Sequence, residues 1–128
     1  MTKADLVTVR ESPGKGRGVF AARDISAGTV ISVAHSIPFP TDALDGTPIE
    51  GHQFDYEQDD QDCIVLGVQQ LINHADPPNC RCEWEVVDGQ RMHKVFTVRD
   101  IKAGEELSID YEVPLWFKPA PREETSQE

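Results

Sequence analysis

Two adjacent polar residues, Asn73 and His74, stand in the segment "LINHADPPNC" at positions 71–80. An apolar pair leads directly into them, and Pro78 and Asn79 end the segment with a turn. His74 is a candidate general base, but the chain lacks a persuasive Ser or Cys nucleophile with an orienting acid. On its own, the pair favours a hydrogen-bonded core histidine over a catalyst.

The glycine-rich segment "GKGRG" at 14–18 offers backbone N–H groups that could hold a ligand. It is not a P-loop, because no Gly-Lys-Ser/Thr ends it. It is not a dinucleotide fingerprint either, because an apolar strand follows where a helix would be needed. Taken alone, the segment predicts a plain turn.

Cys80, Cys82 and His93 are candidate metal ligands, since the two cysteines share a strand face and the histidine lies across a predicted hairpin. A structural zinc site needs four ligands in a recognisable spacing, which this chain does not have. Buried thiols packing beside Trp84 are the favoured interpretation, and no metal site is predicted.

Short strands must position these residues. The segments "VFAARDISAG" at 19–28 and "VFTVRDIKAG" at 95–104 agree at seven of ten positions, and each predicts a strand, a turn and a second strand. "CRCEWEVV" alternates as one arm of a hairpin that turns at Asp88-Gly89, and "LVTVR" is a further strand.

Two other segments are less regular. Residues 38–62 are rich in Pro, Gly and acid, which predicts a loop with at most one short helical turn. The segment "CIVLGVQQLINH" at 63–74 can be a buried strand or a short helix, because a brief apolar run fits both. The sum is a mostly β fold of short strands with little helix.

The bulk properties bound the function. A chain of 128 residues makes one domain, and its three cysteines have no disulfide-framework spacing. No apolar run approaches the ~20 residues of a membrane span, so we expect a soluble intracellular protein that contacts no membrane. The formal net charge of −11 repels nucleic acid and attracts lysine-rich segments, although acidic surfaces more often serve solubility.

Read in order, a Gly-x-Gly turn, "VFAARDISAG", "INHADPPN" and "VFTVRDIKAGEELSIDY" resemble a SET domain, the fold of one class of protein lysine methyltransferases. The resemblance covers roughly residues 6–117. It implies a single SET domain over 1–117, of the small stand-alone type without flanking modules, and a polar tail over 118–128. It also implies a β-clip-like fold in which the chain end threads, knot-like, under the loop formed by the Asn-His segment.

The resemblance assigns site residues where motifs match. It implies that the Gly-x-Gly backbone lies against S-adenosylmethionine, that Asn73 holds the amino acid part of this cofactor, and that the His74 backbone faces the adenine. Tyr111 falls on the tyrosine that closes the active site. The implied cofactor-binding residues are Lys15, Gly16, Arg17, Gly18, Asn73, His74 and Tyr111, and the candidate aromatics of a substrate lysine channel are Tyr56, Trp116 and Phe117.

The chain departs from the family pattern in several places. Gln70 and Leu71 replace the usual Arg-Phe pair, and Asp76 stands where many members have a zinc-binding Cys. No cysteine follows Tyr111, so no zinc site of the flanking type is expected. "ISVAHSIPF" lacks the usual Tyr-x-Gly motif, which affects one part of the predicted cofactor pocket.

The implied substrate is a lysine in a flexible basic segment, with a histone tail as the family's commonest target and other basic proteins fitting the same physics. An alternative is a non-catalytic module that keeps the fold and binds cofactor or peptide without turnover. Tyr111 together with Asn73 favours the enzyme. Homodimerisation is compatible with the resemblance, but the sequence carries no interface signature.

Overall fold

The computed structural model of this chain describes residues 5–110. In that part, ten strands and one short 3₁₀ helix follow one another, and the longest strands have eight residues. The strands are β1 Val7–Ser12, β2 Gly16–Ala21, β3 Val30–Ala34, β4 Ser36–Pro40, β5 Phe54–Asp55, β6 Gln61–Val65, β7 Asn73–His74, β8 Cys80–Val87, β9 Gln90–Thr97 and β10 Ser108–Ile109, with the 3₁₀ helix at Val68–Leu71.

Within the described residues the strands form four small sheets, with the orders β1-β2, β3-β9-β8, β4-β6-β5 and β10-β7. The prediction of a mostly β fold with short strands and little helix is confirmed. The predicted hairpin is also confirmed, because β8 and β9 pair in register from Cys80↔Thr97 to Val87↔Gln90. Asp88 and Gly89 both have positive φ, as the tight turn requires.

The two copies of the repeat contact each other reciprocally. Ile25 and Ile101 exchange both backbone hydrogen bonds at 2.8 Å. The Asp100 carboxylate accepts from the Ala27 N–H, and the Asp24 carboxylate accepts from the Ala103 N–H, each at 2.9 Å. The repeated sequence thus builds a local two-fold arrangement, and both isoleucines belong to the main buried core.

The two irregular segments differ from their predictions in an informative way. Residues 38–62 do not form a loop throughout, since β4 and β6 extend into this segment and pair with each other. Its centre at 41–51 consists of turns without the helical turn that the sequence allowed. Residues 63–74 contain both predicted alternatives, because β6 ends at Val65 and the 3₁₀ helix follows.

Residues 73–80 and 106–110 are held side by side. β7 and β10 pair in parallel, with Asn73 opposite Ser108 and His74 opposite Ile109. The buried Asn79 side chain donates to the Glu106 carbonyl at 2.9 Å and accepts from the Ser108 N–H at 2.8 Å. Residues 73–80 are therefore hydrogen-bonded to the strand that precedes Tyr111. Tyr111 itself lies outside the described residues.

No helix in residues 5–110 has the length and apolar character that a membrane-crossing helix needs.

Candidate active site

One part of the candidate site begins at the turn between β1 and β2. Ser12 and Gly16 lie opposite each other in the hairpin, and the Lys15 N–H donates to the Ser12 carbonyl at 2.9 Å. Gly16 has φ +80°, a conformation that favours glycine. Lys15, Gly16 and Arg17 are exposed, so this turn is open to a ligand.

Gly18 is buried, and its requirement for glycine has a different cause. A Cβ at this position would overlap Glu106 Oε2 and would lie 3.1 Å from both Asn73 Nδ2 and Ser12 Cβ. The backbone of β2 therefore passes close to three side chains, one from β1, one from β7 and one from the segment before β10. Even alanine would force one of them to move.

Asn73 extends the same region from β7. Its Nδ2 donates to Glu106 Oε2 at 2.8 Å and to the Arg17 carbonyl at 3.1 Å. Glu106 Oε1 accepts from Ser12 Oγ at 3.0 Å. The Gly-x-Gly and Asn-His segments, predicted separately, thus meet around one carboxylate, and we call Ser12, Gly16–Gly18, Asn73 and Glu106 the shelf.

His74 lies at the end of the shelf. Its ring is partly exposed, and Nδ1 lies 3.8 Å from Asp110 Oδ1. The Ala75 N–H donates to the Ile109 carbonyl at 3.1 Å, so backbone hydrogen bonding between the two segments continues past His74.

The residues of the shelf fit a small ligand that carries a donor group. Within the described part of the chain, Asn73 Oδ1 has no hydrogen-bond partner, whereas Nδ2 has two. An amide oxygen beside a carboxylate suits an ammonium group, and the exposed turn at 15–17 can contact the remainder of such a ligand. This set of acceptors fits the ammonium of the amino acid part of S-adenosylmethionine.

The second part of the candidate site is a cavity of about 170 Å³. Three of its lining residues are rings in edge-on contact: His93 lies 5.0 Å from Phe54 and 4.9 Å from Trp84, measured between ring centroids. Burial lowers the pKa of His93 to about 4, with a smaller contribution from Arg91, so the imidazole is neutral at pH 7. The aromatic wall is consequently uncharged.

Charged groups line the same cavity nearer to solvent. Asp55, Glu57 and Glu83 are exposed, and Asp110 is partly exposed, while Arg81 contributes one opposite charge. The excess of carboxylates favours a cationic ligand at the entrance.

Burial makes two of the three cysteines, Cys63 and Cys80, poorly reactive. Cys80 and Cys82 both line the cavity, and burial raises the pKa of the Cys80 thiol to about 12. Burial also raises the pKa of Cys63 to about 12. A thiol that stays protonated is a poor nucleophile and a poor metal ligand. Across residues 5–110, no group of three or more His, Cys, Asp or Glu side chains has the arrangement of a metal site.

Of the predicted channel aromatics, Tyr56 is the one within the described residues. It contacts Trp84 with ring centroids 5.3 Å apart, and the Arg91 guanidinium lies over both rings. Tyr56 supports the cavity wall without being one of its lining residues, so its place in a lysine channel stays a prediction. Tyr111, Trp116 and Phe117 lie outside the described residues, as does the predicted tail.

The shelf and the cavity meet on one short segment. Glu106 belongs to the shelf, and Ile109 and Asp110 line the cavity, so five consecutive residues connect the two. Tyr111 is the next residue in the sequence.

Sequence reasoning missed part of this arrangement. His93 was predicted to lie across the hairpin from the strand that carries Trp84, but the register that places the two rings opposite each other was not used to predict an aromatic wall. Glu106 and Ser12 carried no local signal, because they are 94 positions apart and each looks like an ordinary strand residue.

Comparison with known proteins gives a consistent result. The model of the SET domain family matches residues 16–112. A histone-lysine N-methyltransferase of Schizosaccharomyces pombe, named as H3 lysine-37 specific, is 30% identical over 114 residues, which cover 86% of this chain and 76% of the relative. Human histone-lysine N-methyltransferase 2B is 33% identical over 125 residues, but the chain spans only 4% of that protein.

Solved structures are similar as well. A protein of Plasmodium falciparum with a proposed histone methyltransferase role superimposes with a TM-score of 0.71 at 21% identity, covering 88% of this chain and 97% of the other. A chain of ctPRC2, solved in an autoinhibited conformation bound to S-adenosylmethionine, gives a TM-score of 0.70 at 23% identity over 84% of this chain and 15% of its own length.

Proposed function

The chain belongs to the SET-domain family, and from that premise we propose that it methylates lysine side chains in basic, flexible protein segments, with a histone tail as the first substrate to test. The family and the named relatives support protein-lysine N-methyltransferase activity with S-adenosylmethionine as the methyl donor. The lysine, its protein and the residues that act on it are our proposals.

The observation that carries the proposal is the junction at residues 106–110. A ligand on the shelf and a side chain in the cavity would approach each other from two sides of the same segment. Methyl transfer to an amine needs this kind of arrangement, because donor and acceptor must be aligned and water excluded.

When bound, S-adenosylmethionine would supply a methyl carbon activated by its positively charged sulfur, for transfer to the lysine nitrogen. We assign Asn73 and the Gly16–Gly18 backbone to holding the donor. Tyr111, which the resemblance places where the active site closes, is proposed to position the amine.

The lysine must lose its proton before it reacts, although its ordinary pKa is about 10.4. Exposed carboxylates such as Asp55 attract the charged side chain to the entrance. The interior then disfavours the charge, because Phe54, Trp84 and the neutral His93 replace its hydration shell with apolar surface. The proton leaves to solvent at the entrance, and no dedicated general base is required.

The preference for a basic segment rests on charge. The net charge of −11 and the carboxylates around the cavity attract residues that flank a target lysine. Binding of such a peptide should weaken as salt rises, because these contacts are solvent-exposed.

The site of action follows from the substrate. If the substrate is a histone tail, we propose that the reaction takes place inside the cell, and in the nucleus of a eukaryotic host. Homodimerisation, the absence of a nucleic acid partner and the single domain over 1–117 stay predictions.

The test is to incubate the full chain with radiolabelled S-adenosylmethionine and core histones, ribosomal proteins and mixed basic peptides. We expect label on lysine, and we expect Tyr111→Phe to lose most of it while still binding the cofactor in calorimetry. Tyr56→Phe removes the other tyrosine hydroxyl and tests separately whether Tyr56 belongs to the lysine channel.

Each outcome has a distinct meaning. Cofactor binding without label on any protein would favour the non-catalytic module. A wild-type chain that binds no cofactor would contradict the proposal, and equal activity in Tyr111→Phe would contradict the role of that residue.

A further inference from the structure

We infer that Glu106 is a positioning residue, whose carboxylate fixes the orientation of the Asn73 amide and so presents the amide oxygen to the donor group of a bound ligand. The inference deepens the proposed function and rests on it for the identity of that ligand. The orientation of Asn73 is itself a property of the chain without ligand.

The hydrogen bonds of Asn73 carry the inference. A side-chain amide has two N–H donors on one atom and an acceptor oxygen on the other. Both donors of Asn73 are used, one by Glu106 Oε2 at 2.8 Å and one by the Arg17 carbonyl at 3.1 Å. If the amide were turned over, its oxygen would face two acceptors, and that repulsion excludes the turned state.

Glu106 can act in this way because its own position is fixed. Its second oxygen accepts from Ser12 Oγ at 3.0 Å, and Ser12 is 2% exposed. Gly18 lies against the same carboxylate, which fills the space that a Cβ would need. Three segments of the chain therefore converge on one side chain that the Gly-x-Gly and Asn-His motifs do not include.

The effect of Glu106 has two parts that can be separated. One part is orientation, which needs only an acceptor for the Asn73 N–H. The other part is charge, since a carboxylate would also attract the ammonium of the ligand. Glu106→Gln keeps an acceptor oxygen, and its amide N–H₂ can donate to Ser12 Oγ, so it retains orientation without charge. Glu106→Ala removes both.

The neighbouring Glu105 supplies a matched control. It is a carboxylate of similar exposure on the adjacent residue, but it pairs with Arg99 and accepts from the Lys102 N–H. Glu105→Ala thus changes the net charge by the same amount as Glu106→Ala without touching Asn73.

The first measurement needs no ligand. The side-chain N–H₂ signals of Asn73 are followed by NMR in protein labelled at asparagine, with Asn73→Ala used for assignment. In the wild type, Glu105→Ala and Glu106→Gln, we expect two separate signals with slow hydrogen exchange. In Glu106→Ala we expect the pair to move toward the values of exposed asparagine and to exchange at least about tenfold faster.

The second measurement is cofactor affinity by calorimetry on the full chain, with the KM of donor and of peptide measured separately. Loss of one aimed hydrogen bond predicts about a tenfold loss of donor affinity in Glu106→Ala, with the peptide KM unchanged. The donor affinity of Glu106→Gln should stay within about threefold of the wild-type value, and the donor affinity of Glu105→Ala should equal the wild-type value. Thermal melting verifies that each variant is folded.

Two results would overturn the inference. One is that the Asn73 signals are unchanged in Glu106→Ala. The other is that Glu106→Gln loses as much donor affinity as Glu106→Ala, which would make charge the cause. A wild type that binds no cofactor would remove the proposed function, whereas the NMR result would still decide whether Glu106 orients Asn73.

Discussion

The two copies of the ten-residue repeat, 19–28 and 95–104, have equivalent backbone contacts but lead into different structures. After the first copy, the chain enters β3, which pairs with β9 through a ladder of backbone hydrogen bonds. After the second copy, the chain makes one isolated bridge, between Glu106 and Phe20, and then the two-residue strand β10.

We call the segments that follow the first and second copies the first and second exits. At the second exit, side-chain hydrogen bonds replace the backbone ladder. Asn79 binds the backbone at Glu106 and Ser108, and Ser12 and Asn73 bind the Glu106 carboxylate. The repeat therefore supplies a frame of backbone hydrogen bonds, while the site lies where the chain leaves the second copy and backbone pairing is short. A strand that was fully paired would have no room for a shelf on one side and a cavity on the other.

The largest expected effect tests the equivalence of the two copies. Ile25 and Ile101 are 3% and 1% exposed and lie opposite each other. We expect Ile25→Ala and Ile101→Ala each to lower the free energy of unfolding by about 2–5 kcal/mol, because each leaves a cavity in the core. Urea denaturation measures both, with Ile37→Ala, at a residue 53% exposed, as the control. A difference of more than about 2 kcal/mol between the two core variants would break the equivalence.

The next effect concerns the residues two positions before each copy. Arg17 is exposed on the shelf, whereas His93 is buried in the cavity wall with its pKa lowered to about 4. Above its ordinary pKa of 6.5, His93 is neutral in both the folded and the unfolded chain. As pH falls from 6.5 toward 4, the unfolded chain takes up a proton that the folded chain does not, so the free energy of unfolding falls. The loss over that range is about 3 kcal/mol.

Urea midpoints measured from pH 7 to pH 4 test this expectation. His93→Gln cannot titrate, so its stability should fall less steeply than that of the wild type over the same range. His35→Gln, at an exposed position, should keep the wild-type slope. Parallel pH profiles for His93→Gln and the wild type would show that His93 is not the group responsible.

A third prediction separates the two exits. Asn79→Ala leaves the Glu106 carbonyl and the Ser108 N–H without partners, so we expect a loss of about 2 kcal/mol. We also expect a higher KM for the methyl donor, because the segment under the shelf loosens. Thr97 holds the first exit, where its Oγ1 accepts from the Thr29 N–H and donates to the Ser26 carbonyl.

Thr97→Val is therefore the comparison for Asn79→Ala. It should lower stability by about 1–2 kcal/mol and leave the KM unchanged, since the first exit does not reach the site. Equal changes in KM for the two variants would contradict the separation of frame and site.

Local patterns explain what the sequence could predict. The alternation in "CRCEWEVV" with Asp88-Gly89 predicted the β8–β9 hairpin and its turn, and the repeat predicted its own two strand-turn-strand units. These signals act over a few residues, where turn geometry and the period of two decide the structure. The resemblance supplied the meeting of Gly18 with Asn73, which no local pattern contains.

Long-range contacts explain what the sequence could not predict. Glu106 contacts Ser12 although the two are 94 positions apart, and no local sequence feature of either residue predicts this contact. The strands β4 and β6 extend into the Pro- and acid-rich segment because pairing outweighs composition, as at Pro38↔Cys63 and Pro40↔Gln61. The cavity likewise depends on Phe54, whose two-residue strand is too short to predict from its own sequence.

The smallest expected effect returns to the repeat. Asp24→Ala and Asp100→Ala each remove one hydrogen bond of 2.9 Å between an exposed carboxylate and a backbone N–H. We expect a loss of about 1 kcal/mol from each variant in urea denaturation, and the same value for both within error. Asp42→Ala, in the turns at 41–51, controls for the change in net charge. Because each carboxylate binds the backbone of the other copy, a loss confined to Asp100→Ala would mean that the first copy depends on the second but not the reverse, and the frame would then be held from one side only.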